Sequence, residues 1–181
     1  MGTVHRRAGA GAHGRRAGVL VAVGRHALDR FVGHAIRPHR DIDISVSAAD
    51  WNRFAGHVSG RLELWNARHG KLRSVETEPW HNVWAREHGG SAWRLQINLE
   101  PVADGVWRYR RAPAINRPLA EAVLHDGALP YVAPAVQLLW ASKSPRPKDE
   151  IDFAAVLPLL APGERDWLDQ ATALAHASAT R

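Results

Sequence analysis

The stretch Arg37-Pro-His-Arg-Asp-Ile-Asp-Ile-Ser-Val46 decides the fold, because it turns from a basic segment into an apolar strand that carries two carboxylates. Pro38 favours an extended residue before it, which is typical of an approach to a strand. Strand side chains alternate between faces, so Asp41 and Asp43 share one face, roughly 6–7 Å apart. Such a pair either binds a cation, for which oxygen-seeking Mg²⁺ with substrate phosphates is the natural choice, or is a solvated strand edge or turn.

The residues before this stretch predict a strand, a glycine turn and a helix. Gly18–Val23 is an apolar run that ends at Gly24, and His26–Gly33 carries one apolar stripe at helical spacing. This arrangement points backbone N–H groups at an anion.

The remaining periodicities predict a mixed sheet followed by helices. A helix at Ala48–Val58, capped by Ser47, precedes strands at Arg61–Asn66, Lys71–Val75, Asn82–Glu87, Ala92–Glu100 and Val106–Arg110. Helices are then predicted at Pro118–His125, Pro134–Ser142, Lys148–Leu160 (bent at Pro158) and from Pro162 to about Ala175, with Leu129–Val132 extended. The predicted fold class is α+β, a mixed sheet flanked by helices, with a disordered leader over residues 1–18, a sheet domain over 19–116 and a helical region over 117–181.

Composition excludes several classes of protein. The chain has 181 residues, a net charge of +6 and no cysteine, so disulfides and thiolate metal sites are excluded. No apolar run is long enough to span a membrane. Four arginines lie in residues 1–18, which contain no acid, so the charge is weak evidence for nucleic-acid binding. The eight tryptophans are spread along the chain, as core and pocket-wall residues are. Zinc-hydrolase, P-loop, dinucleotide-binding and serine-hydrolase motifs are absent from the sequence.

Four segments resemble those of a known family. Gly24-Arg-His-Ala-Leu-Asp29, followed by Arg37-Pro-His-Arg-Asp-Ile-Asp43, is similar to the signature of small nucleotidyltransferases of the aminoglycoside and lincosamide type. Trp107-Arg-Tyr-Arg-Arg111 and Pro145-Arg-Pro-Lys-Asp-Glu-Ile-Asp-Phe153 resemble recurrent segments of the same relatives, and the resemblance covers about residues 19–170.

The resemblance implies a polymerase-beta-like nucleotidyltransferase fold, with residues 19–116 as the catalytic domain. Such enzymes transfer a nucleoside monophosphate from ATP to a hydroxyl of a small acceptor and release pyrophosphate. It implies that Asp41 and Asp43 hold Mg²⁺ and that the Gly24 turn binds the triphosphate. Arg25 follows Gly24 where the family usually has a second small residue. Its guanidinium either pairs with phosphate or blocks the close approach of the backbone.

The resemblance also implies a third carboxylate on a neighbouring strand, and here the chain departs from the family. The matching position is Asn98, and an amide cannot act as a base. Glu100 lies on the same strand face and either replaces that carboxylate or is a surface residue beside Asn98. In the first case Glu100 is catalytic. In the second, the protein binds nucleotide with slow turnover or none.

Further candidates come from the basic turn and the C-terminal helices. Arg40, Lys143 and Lys148 are predicted to bind the nucleotide, the alternative for the lysines being solvation. Asp149 and Asp152, three residues apart on one helix face, line an acceptor site together with Asn98, pair with Lys148 or Arg146, or form a solvated helix face. His39 shares the face of the two aspartates and either joins a metal site or positions the strand.

The sequence therefore predicts a cytoplasmic, Mg²⁺-dependent nucleotidyltransferase that uses ATP and a small acceptor, such as an aminoglycoside. The alternative is a catalytically impaired relative that binds nucleotide. Nucleic-acid and membrane partners are not expected, and the chain is expected to be a monomer or a homodimer.

Overall fold

The structure is a computed structural model that describes residues 21–38, 42–76, 78–125 and 129–179. Within these ranges, no helix has both the length and the apolarity needed to span a membrane. The predicted leader and residues His39, Arg40 and Asp41 lie outside the described residues.

An eight-stranded mixed sheet forms the centre of the molecule. Its strands are β1 (Val21–Ala22), β2 (Ile42–Ser47), β3 (Leu62–Arg68), β4 (Lys71–Ser74), β5 (Asn82–Glu87), β6 (Trp93–Glu100), β10 (Val123–Leu124) and β11 (Tyr131–Val132). Their order is β10-β11-β1-β2-β6-β5-β3-β4. Strand β2 runs parallel to β6 and antiparallel to β1, so its carboxylate-bearing segment is central in the sheet. The predicted mixed sheet flanked by helices is confirmed.

The described residues form six α-helices that flank the sheet: α1 (Arg25–Val32), α2 (Trp51–Val58), α3 (Leu119–Ala122), α4 (Pro134–Ser142), α5 (Pro147–Val156) and α6 (Pro162–Ala179). Helix α1 follows the glycine turn as predicted and ends at Gly33, which has φ 88°. A 3-10 turn, Ala48–Asp50, precedes α2, and Ser47 makes no side-chain capping bond, so the predicted single helix over 48–58 is wrong in its first turn. The predicted bend at Pro158 is a 3-10 turn, Leu157–Leu159.

Strands continue beyond residue 116, where the sequence predicted helices. Strands β7 (Val102–Ala103), β8 (Val106–Arg108) and β9 (Asn116–Pro118) form a separate antiparallel sheet, and β10 and β11 extend the main sheet. The helix predicted over Pro118–His125 is correct only for the four residues of α3. The short apolar run of β10 pairs with β11, and this non-local contact outweighs its helical periodicity. The division into domains at residue 116 stays a prediction.

Two hydrophobic clusters stabilise these layers. The larger one joins β1 and β11 to α1, α4, α5 and α6, and its fully buried members include Leu138, Leu139 and Val156. The smaller one packs α2, through Trp51 and Phe54, against one face of β2, β5 and β6. Side chains of alternate residues on those three strands point to the other face. That second face is the one that carries Asp43.

Candidate active site

A cleft of about 600 Å³ lies between this face of the sheet and the helices α1, α4 and α5. Asp43 lines the cleft and is half-buried. The turn residue Gly24, with φ 64° and ψ −146°, packs directly against it. A Cβ atom on Gly24 would lie 2.5 Å from Asp43 Oδ2, so only glycine allows this approach. The Val23 N–H donates to the Asp43 carbonyl at 3.1 Å, which fixes the turn to β2.

The N–H of Gly24 has a partner that the sequence did not predict. Gln137, on α4, accepts this N–H through Oε1 at 2.7 Å and lines the cleft. The bond joins residues 113 positions apart. A phosphate oxygen that used this N–H would therefore have to displace the Gln137 carbonyl. Gln137 is a polar residue within the apolar run of Pro134–Trp140, and that break in pattern was the available signal.

Amide side chains line the sheet side of the cleft beside Asp43. In the β2–β6 register, Gln96 is the partner of Asp43 and Asn98 is the partner of Ser45. Asn82 Nδ2 donates to Asn98 Oδ1 at 3.1 Å, so the Asn98 amide is oriented by a neighbouring strand. The position at which the resemblance implies a carboxylate thus holds a neutral, hydrogen-bonded amide.

Glu100 is buried at the end of β6 and lines the cleft. Its Oε2 accepts from Trp107 Nε1 at 3.0 Å, and its Oε1 lies 3.5 Å from Arg110 Nη2. Burial raises the pKa of the Glu100 carboxyl, although the bonds from Trp107 and Arg110 act in the opposite direction. A raised pKa suits a general base. In the β2–β6 register, the strand partner of Glu100 is Ser47, which lies four residues along β2 from Asp43. At the usual rise per residue, the backbone positions of Ser47 and Asp43 are about 13 Å apart.

The helical wall of the cleft contains two arginine–aspartate pairs in which the aspartates are buried. Arg37 binds Asp152 through two bonds, Nε to Oδ1 at 2.8 Å and Nη2 to Oδ2 at 2.6 Å. Arg146 binds Asp149 with Nε to Oδ2 at 2.8 Å and Nη2 to Oδ1 at 3.1 Å, and its backbone N–H caps α5 on the same carboxylate at 2.9 Å. Arg146 is one of the predicted partners of the two aspartates, and it binds Asp149. Arg37, the partner of Asp152, was not predicted.

These pairs control the charge of the helical wall. Burial acts to raise the pKa of the Asp149 carboxyl, but the bonds from Arg146 outweigh it and hold the pKa below its usual value. The bond to Asp149, together with the charges of Asp152 and Asp43, raises the pKa of Arg146. Asp149 is therefore ionised at neutral pH and is neutralised by its partner.

The predicted nucleotide-binding cations lie at different places. Arg25 and Lys148 line the cleft, and Arg25 Nη1 donates to the Pro38 carbonyl. Lys143 is the exposed residue after α4 and is not a cleft-lining residue among those described. Arg40 lies outside the described residues, as do Asp41 and His39.

The donor set is compatible with Mg²⁺. No group of three His, Cys, Asp or Glu side chains converges within residues 21–38, 42–76, 78–125 and 129–179. Mg²⁺ is usually held by one or two carboxylates together with substrate phosphates, so it does not need such a group. Asp43, turned into the cleft beside a glycine turn, fits that requirement, and Asp41 stays a predicted second ligand.

Sequence reasoning missed several residues that the structure brings to the cleft. They are Arg37, His81, Asn82, Gln96, Arg110, Arg111 and Gln137. Three of them, Arg37, Arg110 and Arg111, lie inside the quoted motifs, so the signal was present but had no assigned role. His81 and Asn82 come from the start of β5, and only the pairing of β5 with β6 places them there.

The fold is similar to that of an antibiotic-resistance factor and of an antibiotic adenylyltransferase known from solved structures. The solution structure of the antibiotic-resistance factor ANT(2'')-Ia has a TM-score of 0.60 and 17% identity, over 90% of this chain and 85% of that one. The crystal structure of the lincosamide antibiotic adenylyltransferase LnuA, bound to lincomycin, has a TM-score of 0.54 and 16% identity, over 78% of this chain and 87% of that one.

A more distant likeness supports the same fold. The Megavirus polyadenylate synthase has a TM-score of 0.51 and 10% identity, over 77% of this chain and 28% of that one. No family model matches the sequence, and no curated protein matches it either. At these identities the comparisons establish the fold, and the chemistry has to be argued from the residues.

Proposed function

We propose that this protein catalyses the Mg²⁺-dependent transfer of a nucleoside monophosphate, with AMP the expected group, to a hydroxyl of a small molecule. The observation that carries the proposal is the Asp43 carboxylate, packed against the positive-φ turn at Gly24 and open to the cleft. ANT(2'')-Ia has been crystallised with adenylyl-2''-tobramycin, and that structure has a TM-score of 0.52 and 17% identity to this chain over 90% of its length. An antibiotic-like acceptor is therefore part of the proposal.

Several residues of the cleft have proposed roles. Asp43, with Asp41, would hold Mg²⁺, which when bound neutralises charge on the triphosphate and the leaving pyrophosphate. A phosphate oxygen that displaced Gln137 from the Gly24 N–H would bind at this turn, where the start of α1 adds a positive dipole. Arg25 and Lys148, which both line the cleft, would bind the phosphates.

Glu100 is the proposed acceptor of the hydroxyl proton. Its raised pKa and its place in the cleft support this role. Asn82 holds Asn98 in place, and Asn98 would orient the acceptor by hydrogen bonding. As an amide, Asn98 would not take up the proton. Asp149 and Asp152 line the cleft, and the sequence predicts that they bind acceptor amines.

A second candidate is a catalytically impaired protein that binds nucleotide. Three observations favour it: the amide at Asn98, the occupation of the Gly24 N–H by Gln137, and the engagement of Glu100 by Trp107 and Arg110. The cytoplasmic location and the monomeric or dimeric state stay predictions.

Release of pyrophosphate from Mg-ATP in the presence of a panel of hydroxyl-bearing small molecules tests both candidates. The active enzyme releases pyrophosphate only with an acceptor, and Asp43→Asn lowers the rate by about 1,000-fold, which corresponds to about 4 kcal/mol of transition-state stabilisation. Asp50→Asn, a carboxylate change in the 3-10 turn after β2 where Asp50 pairs with the exposed Arg53, should leave the rate unchanged. The impaired protein is supported if Mg-ATP binds but the wild type and both variants release no pyrophosphate.

A further inference from the structure

We infer that the acceptor carries an acidic group and is not a polyamine. The acidic group binds Arg111 and Arg110, at the end of the cleft where Arg110 contacts Leu99 of β6. This inference rests on the proposed function, because it concerns the second substrate of the same cleft.

The carboxylates that would attract amines are already neutralised by arginines. Asp152 and Asp149, with side chains 7% and 6% exposed, are each held by two guanidinium bonds. Glu100 is buried against Trp107 and Arg110. An aminoglycoside amine would have to displace an arginine to reach any of the three. The acids predicted to bind acceptor amines are therefore engaged within the protein.

The positive charge at the other end of the cleft is less completely matched. Arg111 is exposed, and its Nη1 bonds only the neutral Tyr109 hydroxyl, at 3.1 Å. Its guanidinium also lies 5.9 Å from the centre of the Tyr109 ring. Among the described residues, Arg111 has no carboxylate within ion-pair distance. A guanidinium with free donors, fixed by an aromatic ring at the edge of a cleft, is a good ligand for a carboxylate or phosphate.

Several cations surround this position. Among the described residues, Arg110 Nη2 donates to the Leu99 carbonyl and pairs with Glu100 Oε1 at 3.5 Å, so its charge is partly matched. The pKa of His81 is lowered first by burial and then by the charges of Arg110, Arg68, Arg111 and His69. The four neighbouring cations place positive charge around His81, which favours an anion.

The position also separates this anion site from the nucleotide. Gly24 and Asp43 lie at the β1 side of the cleft, level with Gln96 on β6. Arg110 and His81 both contact the backbone of Leu99, three residues further along β6, or about 10 Å. The acidic group of the acceptor would therefore lie about 10 Å along the sheet from Asp43, a span that fits a molecule of disaccharide size.

Calorimetric binding of matched probes to the full chain, saturated with Mg²⁺ and a non-hydrolysable ATP analogue, tests the inference. The probes are trehalose (neutral), lactobionate (a carboxylate), trehalose 6-phosphate (a phosphate) and kanamycin A (a polyamine). We expect at least one anionic probe to bind about 10-fold more tightly than trehalose, as one charge-assisted pair predicts, and kanamycin A to bind no better than trehalose. Which anion binds distinguishes a carboxylate acceptor from a phosphate acceptor.

Variants of Arg111 link the selectivity to the site. Arg111→Gln should remove the preference for the anion, and Arg111→Lys should restore part of it, while nucleotide affinity stays at the wild-type value. Arg94→Gln, which changes an exposed arginine paired with Glu87 elsewhere on β6, is the matched control and should behave as wild type.

Three results would overturn the inference. They are tighter binding of kanamycin A than of both anions, no measurable binding of either anion at millimolar concentration, and a loss of nucleotide affinity in Arg111→Gln. Failure of the proposed function is separately visible, since it appears as absent nucleotide binding or as an Asp43→Asn variant that behaves like wild type.

Discussion

The two walls of the cleft use their acidic residues differently. On the helical wall, Asp149 and Asp152 are buried, and each is bound by two nitrogens of one arginine. On the sheet wall, Asp43 lies beside amide side chains and a glycine turn that approaches its carboxylate. The comparison teaches that cleft position alone does not assign a role. We propose that the carboxylates of the helical wall stabilise the fold and that Asp43 takes part in the chemistry.

The largest effect on stability should come from breaking a helical-wall pair. Asp152→Asn keeps the shape of the side chain but leaves the Arg37 guanidinium, 15% exposed, without its counter-charge. We expect a loss of about 3 kcal/mol in the free energy of unfolding, measured by urea denaturation. Asp50→Asn breaks an exposed pair with Arg53 and should cost about 0.5 kcal/mol or less. Equal losses of unfolding free energy in the two variants would contradict a structural role for Asp152.

The glycine turn offers a smaller effect that reaches the sheet wall. Gly24→Ala is strained by its backbone conformation, by about 1–3 kcal/mol, and its Cβ would press on Asp43 Oδ2. Gly33→Ala, at φ 88° with open space around it, carries the strain without that contact. We expect both variants to lose stability and only Gly24→Ala to weaken Mg-ATP binding in calorimetry. Similar Mg-ATP binding by both alanine variants would contradict a role of the Gly24 turn in nucleotide binding.

A third comparison separates two lysines near the helical wall. Lys148 lines the cleft, whereas Lys143 lies after α4 and does not line it. Lys148→Met should weaken Mg-ATP binding about 10-fold, the value of one charge-assisted hydrogen bond, and Lys143→Met should leave it nearly unchanged. The reverse ranking in calorimetry would place the triphosphate elsewhere.

The smallest effect concerns acid stability at the far edge of the sheet. A bond from the Gly89 N–H and then one from Arg86 lower the pKa of Glu63 from its ordinary 4.5 to about 2. Because the folded-state pKa is lowered, the stabilisation is present above pH 4.5 and is lost as the pH falls toward 2. Glu63→Gln should therefore be less stable than wild type at pH 6, and the difference should shrink on acidification. Glu87→Gln, an exposed control, should show little difference at either pH; a Glu63→Gln deficit that persists at pH 2 would refute the assignment.

The local parts of the site could be predicted from the sequence. The strand–glycine–helix arrangement and the direction of Asp43 follow from period-2 alternation and from one glycine, which are both local signals. The Arg37–Asp152 pair could not be predicted, because its partners are 115 residues apart and no pattern links them. For the same reason Val123–Leu124 was predicted as helix, since only its pairing with Tyr131–Val132 makes it a strand.

The central claim is that Asp43 holds a metal ion that carries the triphosphate at the Gly24 turn. A crystal structure of the chain with Mn²⁺ and a non-hydrolysable ATP analogue, with anomalous scattering collected for manganese, tests it most directly. The account predicts an anomalous peak in contact with the Asp43 carboxylate, with the phosphates beside Gly24. A nucleotide seated on Arg110 and Arg111, with no manganese at Asp43, would contradict it.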